Sequence, residues 1–125
     1  DHHLWRVHGG GSDWVRARME AFPDETALLH PALPYRMAEV SRAVLAEHAV
    51  RVDDILMRRL HLFTEAPDQG LGCVERVAEH AAGLLGRGQE WAIAEAERYR
   101  QMVERSRLGT RALEQSGGGE TLGAS

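Results

Sequence analysis

LPYRMAEVSRAVLAEHAVRVDDILMRRLHLF, running from Leu33 to Phe63, is the stretch that decides the fold class. Met37, Val40 and Val44 fall at i, i+3 and i+7, with Ala38, Leu45 and Ala49 alongside, so the pattern is the apolar stripe of a helix with one buried face. Strand alternation does not fit it. Asp53 and Asp54 then place acceptors and negative charge ahead of Ile55, Leu56, Leu60, Leu62 and Phe63, as expected where a second helix begins and its first amides lack partners. Two helices joined by a short connector form the unit around which the rest is arranged.

Outward on the N-terminal side, DHHLWRVH from Asp1 to His8 reads as the last turns of a helix, stopped by Gly9, Gly10 and Gly11. Ser12 is placed to cap a helix through Phe22, with Val15, Met19 and Phe22 inward and Pro23 as its stop. Pro23 to Pro34 reads as an ordered irregular connector laid over the core. On the C-terminal side Pro67 marks a break, after which Val74, Val77, Ala78, Ala81, Leu84 and Leu85 define a helix closed by Gly86 and Gly88. Gln89 to about Arg107 forms the last helix, with Trp91, Ala92, Ala96, Tyr99 and Val103 inward and Glu95, Glu97, Arg98 and Arg100 on a solvated face. The expectation is an all-α fold, a compact orthogonal or bundle-like array of about five helices. It occupies a single domain over 1–115, followed by a disordered tail over 116–125.

With 125 residues, 43% hydrophobic and 27% charged, the composition is that of one globular domain. No apolar run approaches the roughly 20 residues a bilayer crossing needs. A net charge of −4 gives no overall attraction to nucleic-acid phosphate. All 15 basic residues are Arg, a compositional bias without a mechanism attached. The lone Cys73 and the absence of a signal-peptide pattern point to a cytoplasmic setting, and the start at Asp1 suggests a piece of something longer.

Candidate chemistry is sparse. Gly9 to Gly11 and Gly117 to Gly119 follow no strand, and Gly70-Leu71-Gly72 continues with Glu75 where a dinucleotide fingerprint needs a third glycine, so no cofactor-binding residue is assigned. His2, His3 and His8 are the only close histidines and lack the i, i+4 pairing of a catalytic zinc helix, while His30, His48, His61 and His80 scatter over different elements. No metal ligand is assigned. Ser12, Ser41 and Cys73 have no activating motif, so no catalytic residue is assigned either, and Cys73 reads as a small, partly buried apolar group. The charged residues that stand out are structural: Asp54 and Arg58 at i, i+4, and Glu39 and Glu47 on one face, where Arg58 or Arg59 of the neighbouring helix can meet them.

Glu39, Ala43-Val44, Glu47, Asp54-Ile55-Leu56 and Arg58-Arg59 together resemble the C-terminal domain of bacterial FAD-dependent glycerol-3-phosphate dehydrogenase. The likeness extends outward through His8-Gly9, and through Gly86 with Trp91, covering about Leu4 to Val103. It departs at His8, Ala46 and Leu60, where that family commonly has Tyr, His and Thr. The resemblance implies that the FAD site, substrate pocket and catalytic residues belong to an N-terminal domain of the same polypeptide, which oxidises sn-glycerol 3-phosphate to dihydroxyacetone phosphate and passes electrons to a quinone. This segment would then hold no cofactor and pack on that catalytic body, with Glu39, Glu47, Asp54, Arg58 and Arg59 as structural or docking ion pairs. It would also support homo-oligomer formation or peripheral contact of the parent with the inner face of the membrane. A second reading is a free-standing helical interaction module, or a helix-turn-helix using Arg51, Arg58 and Arg59, against which Asp53 and Asp54 place repulsive charge at the end that would enter a groove.

Overall fold

The computed structural model describes the backbone of residues 12–120 and the side chains of residues 13–110. The readings made for Asp1 to Gly11, including His2, His3 and His8, and for the last five residues of the tail lie outside the described residues. Among the described residues the chain is all-α, with α1 (Ser12–Ala21), a 3-10 turn (Pro23–Thr26), α2 (Met37–Leu45), a π-helical segment (Asp54–Arg59), α3 (Leu62–Glu65), α4 (Val74–Leu85) and α5 (Gln89–Glu120). A single antiparallel bridge between Leu28 and Arg36 is the only extended pairing among them.

The apolar stripes decide the packing. Val40, Ala43 and Val44 of α2, Val74, Val77, Ala78 and Ala81 of α4, and Ala92, Ala96, Tyr99 and Val103 of α5 are all buried in one core cluster. Helix α4 lies between α2 and α5 and touches both. Ile55, Leu56, Leu60 and Leu62 fill the end of the same cluster with no exposed surface. Burying a side chain of this size contributes roughly 1.5–3 kcal/mol, so this end anchors the fold. Helix α1 forms a side layer on α2, where Val15 and Ala38 are buried beneath Trp14 and Met19.

Several expectations change. Leu45 is exposed, and Ala49 is buried from the connector after α2 rather than from the helix. Phe22 is 49% exposed, because the chain turns at Pro23 and the ring carries the Arg18 guanidinium 3.9 Å above its centre instead of facing the core. The helix after Asp53 does not continue through Phe63. It breaks at His61, whose φ of 58° is left-handed, and α3 restarts the helix so that Leu60 and Leu62 both reach the interior. Helix α5 runs past Arg107 to Glu120. Gly86 closes α4 as read, with φ 72° and the Arg87 amide donating back to the Ala82 carbonyl.

Candidate functional site

The residues singled out for ion pairing separate into distinct environments. Glu47 and Arg59 meet across the connector, Oε1 to Nη1 at 3.4 Å, and Arg59 Nε also donates to Asp54 Oδ2 at 3.2 Å. Arg42 Nε, buried and without a hydrogen bond, stands 3.4 Å from the other oxygen of Glu47, so this carboxylate lies between two guanidinium groups. The Asp54 to Arg58 pair read at i, i+4 is replaced by Asp54 to Arg59. The segment is π-helical, with the Leu60 amide donating five residues back to Ile55, and the wider turn stacks i over i+5. Arg58 is exposed and has no ion pair among the described residues. Glu39 is fully buried at the start of α2, where its carboxylate accepts the Arg36 backbone N–H at 2.9 Å, the N3 half of a capping box.

Glu95 overturns the solvated-face reading of α5. It is 5% exposed, accepts the Val52 amide at 3.1 Å and pairs with Arg51 at 2.8 Å. Arg98 reaches Asp53 at 2.7 Å and Arg100 reaches Glu75 at 2.6 Å, so this side of α5 is a seam against two other elements. Its partners are more than forty residues away, and the one local signal was its place on the apolar stripe, three residues after Ala92, next to Ala96 and four before Tyr99.

The densest polar cluster was missed by sequence altogether. Glu25, in the 3-10 turn, is 5% exposed and receives two hydrogen bonds of 2.9 Å from Arg18 of α1. Ser41 of α2 donates its hydroxyl to Glu25 at 2.7 Å and accepts from His80 Nε2 of α4 at 2.8 Å. Burial alone would push the Glu25 carboxyl up, but the hydrogen bonds from Arg18 and Ser41 and the nearby His80 together hold it below the usual range. His80 is also lowered, first by burial and then by Arg18, with Glu25 opposing both.

This cluster is not a nucleophilic triad. Glu25 Oε2 stands 3.3 Å from the same Nε2 that bonds Ser41, so the acid does not orient the imidazole from its far side, and the Ser41 hydroxyl is fully buried. Cys73 is buried and its thiol is pushed up to about 11 by burial, which keeps it protonated at neutral pH. No group of His, Cys, Asp and Glu among the described residues is arranged to hold a metal ion.

The glycine pair just ahead of α4 is already engaged within the chain. The Gly70 and Gly72 amides are already bonded to the two oxygens of Asp68, at 3.0 and 2.9 Å, and a pyrophosphate would meet that carboxylate. Tyr99 closes over Gly70 and donates to the Gln69 carbonyl. Of the three arginines that a helix-turn-helix would present, two are tied up, Arg51 on Glu95 and Arg59 on Glu47 and Asp54, and Arg58 stands exposed.

The family model for the C-terminal domain of alpha-glycerophosphate oxidase matches residues 2–92. A glycerol-3-phosphate dehydrogenase of Mycobacterium leprae is 33% identical over 102 residues, which cover 82% of this chain and 17% of that protein. Glycerol-3-phosphate dehydrogenase 2 of Mycobacterium bovis is 32% identical over 96 residues, covering 77% of this chain and 16% of the relative, and its Mycobacterium tuberculosis counterpart gives the same figures. The chain therefore spans about a sixth of the length of the curated relatives it matches. No solved structure matches it.

Proposed function

We propose, because the chain belongs to the family of C-terminal domains of alpha-glycerophosphate oxidase, that it serves as the non-catalytic helical domain of a longer FAD-dependent glycerol-3-phosphate dehydrogenase. In that polypeptide the substrate sn-glycerol 3-phosphate is oxidised to dihydroxyacetone phosphate, with electrons leaving through FAD to a quinone, in the part that precedes this domain. The domain, assigned to residues 1–115, docks on that catalytic body and stabilises it. The observation that carries this reading is the family match over most of a chain that spans about a sixth of its dehydrogenase relatives.

The described side chains support a structural task. The buried Glu25 carboxylate is neutralised, the buried serine is closed off, the cysteine is protonated, and the glycine pair is occupied by Asp68. Glu47, Asp54 and Arg59 join α2 to the π-helical segment, and we assign to this joint, with Glu39 and Arg58, the support of the docking face. No helix among the described residues is long and apolar enough to cross a membrane.

The test is to express the chain alone and beside the separately produced remainder of the longer polypeptide. The chain alone is expected to show no flavin absorbance and no turnover, and to associate with the remainder and raise its melting temperature. Stoichiometric FAD binding by the isolated chain, or failure to associate, overturns the reading.

A further inference from the structure

A groove of about 700 Å³ opens where the end of α1 and the 3-10 turn face α4. Its apolar surface is supplied by Phe22, Pro23, Ala27 and Met37, and Phe22 is the largest exposed apolar side chain there. A folded domain normally turns such a ring inward, since leaving it in water forgoes roughly 1.5–3 kcal/mol. The position is also held firmly: Arg18 stacks on the ring while its Nε and Nη2 donate to Glu25.

The charges around this apolar floor are not balanced. Glu25 is neutralised by Arg18, and Arg76 is held on the Leu28 and Leu29 carbonyls, at 3.3 and 3.0 Å, which fix its guanidinium but leave its charge in place. Asp24 and Glu79, both exposed, have no ion pair or side-chain hydrogen bond among the described residues and line the same groove. Arg76 offsets one of these two carboxylates, so the lining keeps one net negative charge, and a complementary occupant brings positive charge together with an apolar side chain. Phosphate-rich surfaces, whether anionic lipid or nucleic acid, are repelled by the same charges.

We propose that this groove is the seat of a polypeptide segment presenting arginine or lysine next to an aromatic or aliphatic anchor, the anchor against Phe22 and Met37 and the cation between Asp24 and Glu79. Resting on the accessory-domain reading, the segment belongs to the remainder of the longer polypeptide.

Two measurements test this separately. The first titrates the isotopically labelled chain with the peptide acetyl-Leu-Arg-Phe-Arg-amide and with its counterpart carrying Glu for Arg. Amide shifts confined to residues 21–27 and 76–80 are expected with the basic peptide alone. Shifts with neither peptide, or equally with both, overturn the groove assignment whatever the fate of the parent reading.

The second measures association of the chain with the remainder of the polypeptide for Phe22→Ser and for the double variant D24K/E79K. All three positions are exposed, and circular dichroism verifies that each variant is folded. Each is expected to weaken association about tenfold, the double variant losing its salt dependence as well. Association that the variants leave unchanged, or self-association of the chain through this face, overturns the proposal while leaving the accessory-domain reading standing. No association of the unaltered chain overturns that reading instead.

Discussion

Asp54 pairs with Arg59, five residues on, at 3.2 Å, and not with Arg58 four residues on. An α-helix would bring the fourth residue over the first; the π-helical turn from Asp54 to Arg59 widens the spiral and brings the fifth. The exchange lets one guanidinium serve two carboxylates, since Arg59 also reaches Glu47 beyond the end of α2. Adjacent arginines that look alike in sequence thus differ in role.

Arg59→Ala is expected to cost about 1 kcal/mol and Arg58→Ala less than about 0.5 kcal/mol, in keeping with half-exposed ion pairs and ordinary surface sites. Denaturant midpoints of the two variants check this. Equal losses would show that the pairing through Glu47 and Asp54 is energetically idle.

Arg18→Met leaves the Glu25 carboxylate buried without its cation and is expected to destabilise by about 3 kcal/mol, the scale of a broken buried pair. Combining it with Glu25→Leu removes the stranded charge, and most of the loss should return. A thermal melt of the double variant no better than that of Arg18→Met would contradict this account.

Acid should weaken the fold in two stages. His80 has a folded value below its ordinary one, so as pH falls the unfolded chain takes up the proton first. Its contribution is complete above about pH 6.5 and is lost as pH drops through the lowered folded value. Glu25 is lowered as well, so its contribution is complete above about pH 4.3 and is lost beneath that, as pH falls through its own folded value. His80→Gln retains a donor toward Ser41 without the titration. Its stability should be flat across the first stage in a pH series of urea melts, and an unchanged profile would exclude His80 as the origin.

Glu95→Ala removes the acceptor of the buried Val52 amide together with the Arg51 pair, and a loss of about 2 kcal/mol is expected from the unsatisfied donor. Glu97→Ala, two residues on and exposed, should change stability by less than about 0.5 kcal/mol. Amide exchange at Val52 reports the difference directly.

Cys73, with its thiol pushed up to about 11 and its sulfur bonded to the Gly70 carbonyl, should react with thiol reagents at pH 8 only as fast as the domain opens. Modification should therefore accelerate in parallel with unfolding in urea. Rapid labelling under native conditions would contradict its burial.

Sequence by itself determined the elements whose cause is local. The stripes of α2, α4 and α5 follow from apolar residues recurring at the helical period, and the stop at Gly86 follows from a left-handed residue that needs no Cβ. The burial of Cys73 followed from the same stripe, and the wording around Glu39, Glu47 and Arg58-Arg59 carried the family. Tertiary structure decided which charges are interior and whom they meet. Glu95 lies beside Ala92, Ala96 and Tyr99 on the buried face of α5 and is held there as a charge because Val52 and Arg51 arrive from another element, and Glu25, Arg18, Ser41 and His80 converge from four. A carboxylate's fate depends on the partners brought within about 3 Å, and local periodicity holds no information about elements distant in the chain. Phe22 shows the same limit from the apolar side: its helical register points inward, but the turn at Pro23 and the stacked Arg18 leave the ring at the mouth of a groove.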